Sequence, residues 1–227
     1  MYGTAGTVRG ADPLAQEWVT GLFLLIVLVL TLINVAAPRK WRLLAQAAVR
    51  LRLGRQTLRD EPGMDDRNLI GLLVVAIGVT ALFIWQGSVV NGIAIVDGYP
   101  MSAGIVLGIV LFQAALLRGV SALVRADGGM NEYLFTGSVQ FVLLGLLLFP
   151  ITVLMAYRPE LRSALFVIGL ALMALYLVHR WIRGAWIGLN EGVPVRYIFL
   201  YFCAAEILPL TLLLDTFRHH PAHLSHL

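Results

Sequence analysis

Glu206 is the residue in this chain most able to do chemistry. It stands ten positions after Arg196 in an apolar run, so a helical rise of 1.5 Å per residue puts it about 15 Å deep, near a bilayer midplane. A carboxylate there must be protonated, paired or wetted, which makes it a functional candidate. Pro209 follows three positions later; its ring removes a backbone donor and displaces the carbonyl of Ala205 beside the acid. A carboxylate and a freed carbonyl together suit a proton or a small cation. The competing reading is a neutral acid that hydrogen-bonds a neighbouring helix and holds the bundle together. Polar candidates to meet it are Gln113, Gln140, Asn34, Tyr197 and Tyr201, whereas Arg118 and Arg180, near the inner ends of their runs, are expected to reach out to head groups.

Other chemistries are excluded or disfavoured by residue type. Lys40 is the only lysine and lies in a loop, so a retinal Schiff base inside a bundle is out. Outside the C-terminal tail His179 is the only histidine, which excludes a bis-histidine haem within this chain. Cys203 is the only cysteine, so there is no intrachain disulfide, and it is read as a small packing residue. His219, His223 and His226 could share one helical face as a zinc site, but Pro221 interrupts it and a solvated tail over 215–227 is the expectation. HExxH, GxSxG and Gly-rich phosphate loops are absent. No resident cofactor and no enzymatic activity are expected.

The elements that must position Glu206 follow from composition. The 227 residues are 59% hydrophobic and 13% charged, with a mean hydropathy of +0.83. A soluble domain is nearer 45–50% apolar and about 25% charged, so the excess apolar surface needs lipid. Runs near the roughly 20 residues that span about 30 Å of hydrocarbon fall at 18–37, 68–85, 101–117, 133–156, 161–178 and 196–214. The first is longer than a usual signal-peptide core and is followed by a dense basic cluster, so it is read as a retained span. Residues 179–195 are expected to continue the fifth helix before turning at Gly192 and Pro194. The expected fold is one all-α membrane domain, 1–227, a polytopic bundle of about six helices. Segment 86–100 is too short to cross; its Asn91-Gly92 pair, flanked by Val89, Val90, Ile93, Ile95 and Val96, is read as a hairpin turn or a loop folded onto the bundle. Gly104 and Gly108, with Gly137 and Gly145, form small-residue spacings that place the third and fourth helices inside the bundle.

Charge gives direction. With the loop after the first run inside, thirteen Lys and Arg face inward and four, Arg9, Arg158, Arg162 and Arg218, face outward. That asymmetry puts both termini outside, on the periplasmic side of a bacterial inner membrane. The loop at 39–59 holds seven basic residues and no acid, with Trp41, Leu44, Ala48, Leu51 and Leu58 at helical spacing. It is read as an amphipathic interfacial helix whose Arg39, Lys40, Arg42, Arg50, Arg52 and Arg55 meet anionic lipid head groups. The net charge of +4 is therefore a membrane signal, and with no recognition helix or aromatic platform no nucleic-acid partner is expected.

The string Arg196-Tyr-Ile-Phe-Leu-Tyr-Phe-Cys-Ala-Ala-Glu-Ile-Leu-Pro-Leu210 resembles the closing signature of an uncharacterised bacterial membrane family, Domain of Unknown Function 4271, seen mainly in the phylum Bacteroidota. Gly145-Leu-Leu-Leu-Phe-Pro150 and the arginines Arg180 and Arg183 are similar as well. The resemblance covers about half the chain. It implies a six-helix inner-membrane protein whose motif positions are Tyr201, Cys203, Glu206 and Pro209, and it implies no activity. Two functions are weighed: an accessory or scaffold subunit that packs with other membrane proteins or with its own copies, and, as the alternative, a small transporter or proton-coupled carrier centred on Glu206.

Overall fold

The computed structural model describes residues 12–36, 67–92, 98–124, 130–190 and 211. Within them lie five long helices: α1 (Glu17–Ala36), α2 (Arg67–Val90), α3 (Tyr99–Val124), α4 (Met130–Tyr157) and α5 (Arg162–Asn190). All five are long and apolar enough to cross a membrane, and no strand occurs among the described residues. Helix is what such sequences must form in lipid, where each backbone donor and acceptor has to be satisfied within its own segment. The all-α membrane-bundle expectation is thus met. Of the expected features, the interfacial helix at 39–59 with its basic residues, the histidine tail and the sixth run apart from Thr211, which is helical, lie outside the described residues.

Helices α2 and α4 form the centre. In each, 56% of the spanning window is buried, against 22% for α1 and 11% for α3 and α5. What lets them approach is Gly145: a Cβ built there would sit 2.6 Å from the Cα of Ala76, so two backbones meet at that level. Above it Val75, Val79 and Phe83 of α2 pack with Leu144, Leu148 and Met155 of α4. Phe83 also stacks on Phe166 of α5 at 5.7 Å and fills the space left by Gly169, where a Cβ would lie 2.3 Å from its ring.

Three sequence expectations are corrected here. Gly104 and Gly108 do not place α3 inside, since both are exposed and a Cβ at either would meet no atom within 4 Å. The Asn91-Gly92 pair is a helix end and not a hairpin: α2 runs to Val90, Gly92 takes φ 63°, and Asn91 Nδ2 donates to the carbonyl of Gly87 at 2.7 Å. The third is Arg180, taken up with the site below. The continuation of the fifth helix holds to Asn190.

One end of the bundle is tied by polar contacts. Asp12 caps the short 3-10 turn Pro13–Ala15 and pairs with Arg162, whose Nε donates to the carbonyl of Met155 at 2.9 Å at the close of α4. Thr20 and Tyr157 hydroxyls lie 2.8 Å apart, and Trp18 packs on Trp85 and Tyr99. Burial raises the Asp12 pKa, but the hydrogen bonds from Arg162 and the Leu14 amide, with the arginine's charge, outweigh it and hold the carboxyl below its ordinary value. A depressed folded pKa contributes stability that is complete above the ordinary carboxyl range and disappears as pH falls through the folded value. Asp12→Asn is therefore expected to cost under about 1 kcal/mol near neutrality for so partly exposed a pair, read as a lower melting midpoint. The gap to the parent should close below about pH 4; a gap independent of pH would contradict the clasp.

Candidate functional site

Helices α4 and α5 are antiparallel and joined by the tight 3-10 turn Pro159–Leu161, so residues equally far from the turn share a level. Gln140 lies seventeen residues before Tyr157, and His179 seventeen after Arg162, about 25 Å along each helix. The two meet: Gln140 Nε2 is 2.9 Å from His179 Nδ1. With the amide donating, the imidazole is the neutral form with its proton on Nε2. Gln140 is buried, as an amide facing apolar helices must be when it has a partner.

Two arginines follow on α5 within one turn. Arg180 is 9% exposed and its Nη1 donates to the Tyr176 hydroxyl at 3.1 Å; Arg183 is 2% exposed. The expectation that Arg180 reaches head groups is thus corrected: it is enclosed by protein, and the sequence gives no sign of this, because an arginine near a helix end reads the same whichever way it faces. Arg118 on α3 is exposed, in keeping with that reach. Gln113 is half-buried on α3 and Asn34 is exposed on α1. Glu206, Pro209, Cys203 and Tyr201 lie outside the described residues.

The site is therefore a cluster of an amide, an imidazole and two buried guanidiniums at the end of the bundle away from the 157–162 turn. Arg180 and Arg183 are its cationic members. Within the five spans the carboxylates among the described residues are Glu17 and Glu160, both at the opposite end. Chemically the cluster can hold a carboxylate or a phosphate by charge-assisted hydrogen bonds. Metal ligation is not its chemistry, and no group of three or more His, Cys, Asp or Glu that could hold a metal occurs among the described residues.

Sequence reading singled out Gln140 but missed His179 as its partner and the two arginines as buried. Counting both helices from the 157–162 turn would have found the first. A second polar pair, Gln86 Nε2 donating to the Thr152 carbonyl at 3.1 Å, ties α2 to α4 two residues after Pro150.

No curated protein and no solved structure matches the chain. The family model of a domain of unknown function (DUF4271) matches residues 19–217, a stretch that takes in four helices whole, nearly all of α1, the polar cluster and the sixth run with Glu206. A match over so much of the chain makes it a member of the DUF4271 family.

Proposed function

We propose that the protein is a non-enzymatic accessory or scaffold subunit of a bacterial inner membrane, with both termini on the periplasmic side, that packs laterally with another membrane protein or a second copy. The observation that carries this reading is the outer face of α3. Gly104 and Gly108 stand one turn apart, both exposed and with open space where a Cβ would go, so another helix can approach that backbone closely. Support comes also from the close contacts of Gly145 with Ala76 and of Gly169 with Phe83, which suit a rigid body better than one that rocks open and shut.

The test is the size of the assembly extracted from native membranes in mild detergent. The parent is expected to migrate as a complex larger than the 24.9 kDa chain, and Gly104→Leu with Gly108→Leu should weaken that association at least about tenfold while leaving the melting midpoint unchanged. A parent that runs as a lone chain, or a complex indifferent to both leucines, would sink the reading.

A further inference from the structure

Burial falls in the same direction along two helices that pack together, α2 and α3. On α2 the face that carries Trp85 and Ala81, both buried, continues with half-buried Ile77 and then with Val74 and Ile70, which are 62% and 49% exposed. On α3 the face that carries Ser102 and Val106, both buried, continues with Ile109 and Gln113, both half-buried. Spacings of three and four residues keep each set on one helical face. The two helices are therefore in close contact at the end tied by Asp12 and Arg162 and draw apart toward the other end. A wedge-shaped crevice opens there, and none of the residues that line it is charged.

Its one polar group is Gln113. The residue lies fourteen positions after Tyr99, about 21 Å along α3, level with the stretch of α2 at Val74 to Ala76, which lies about as far before Val90. The Gln113 amide makes no hydrogen bond among the described residues. An amide left unpaired within hydrocarbon is costly, so the crevice calls for an occupant that can hydrogen-bond. We propose that the crevice between α2 and α3 binds a neutral lipid, a single hydrocarbon chain whose carbonyl or hydroxyl group meets the Gln113 amide.

Width and depth select that occupant. Ile109 and Gln113 are half-buried and not exposed, so the gap is narrower than the roughly 10 Å that another helix occupies, whereas a single chain fits between Val74 and Ile109. Trp18, Tyr99 and Tyr157 form an aromatic belt at one edge of the hydrocarbon, so Gln113 lies about 9 Å inside the opposite edge of a layer about 30 Å thick. Phospholipid ester groups stay at that edge. A lipid that carries its polar group into the hydrocarbon reaches the amide, and the amide serves a carbonyl as donor or a hydroxyl as acceptor.

The full chain in phosphatidylethanolamine nanodiscs, doped with decylubiquinone as the carbonyl probe or oleyl alcohol as the hydroxyl probe, tests this by native mass spectrometry. At least one probe is expected to stay on the protein as a single adduct that outlasts bound phospholipid. Gln113→Leu should lower that adduct at least about threefold, the loss of one neutral hydrogen bond, and melt no lower than the parent because it removes an unpaired amide. Val74→Phe, which fills the crevice, should lower it about tenfold, and Leu111→Ala on the opposite face of α3 should leave it unchanged. Should one of the first two variants not fold, the other decides. Probes retained no better than phospholipid, or adducts indifferent to Gln113→Leu and Val74→Phe, would overturn the proposal.

Discussion

Gly145→Leu is expected to leave no monodisperse protein in detergent. The position has no room for even a methyl group, since a Cβ there would lie 2.6 Å from the Cα and 2.7 Å from the Cβ of Ala76. The obstacle is backbone and a methyl stub, neither of which can rotate away, so α2 and α4 must separate along their whole contact. Overpacking a core typically costs about 1–3 kcal/mol, and Gly145→Ala should fall in that range. Leucine exceeds it because the displaced pair is the one on which the other helices pack. Gly137, in the same helix, is the control: its Cβ would meet open space, so Gly137→Ala should melt within about 1 kcal/mol of the parent. Size-exclusion profiles and melting midpoints of the three variants check the claim. Parent-like behaviour of Gly145→Leu would mean that α2 and α4 do not cross there.

Phe83→Ala is the second large effect, and its size reports on the solvent. The ring is 1% exposed, stacks on Phe166 and covers Gly169. In a water-soluble core the same change costs about 3–5 kcal/mol, part of it the transfer of apolar area out of water. Between membrane helices that part is missing, because lipid is as apolar as the core, and what remains is lost packing around a cavity. A cost on the order of 2 kcal/mol is expected. Phe112 on α3 is 47% exposed, and Phe112→Ala should be nearly neutral, since lipid fills the space it vacates. Equal destabilisation by the two alanines in bilayer-mimicking detergent would contradict the assignment of α2 as central and α3 as peripheral.

Much of the fold is legible in the sequence. Five of the expected runs coincide with α1 to α5 to within a few residues at most ends, because length and hydropathy against a lipid slab are properties of a segment by itself. The exceptions are instructive. Helix α2 continues to Val90 and α3 to Val124, past the points where polar residues interrupt the apolar run, since a helix can extend beyond hydrocarbon wherever neighbours satisfy its side chains. Glycine spacing proved ambiguous: Gly145 marks the closest backbone contact and Gly104 and Gly108 an open face, though all three read alike in a one-dimensional pattern.

The cluster at Gln140, His179, Arg180 and Arg183 shows the same division. That polar side chains occur in these runs was visible from the sequence. Which of them meet was not, because pairing depends on the register between helices and on which way each faces. By itself the sequence determined the membrane class, the helical secondary structure and the order of the spans, all consequences of apolar length. The tertiary structure alone decided that α2 and α4 are central, that Gln140 meets His179, and that Arg180 is enclosed. The physical reason is that lipid treats every apolar face alike, so the choice among faces falls to shape at glycine and alanine and to the few polar groups that must find one another.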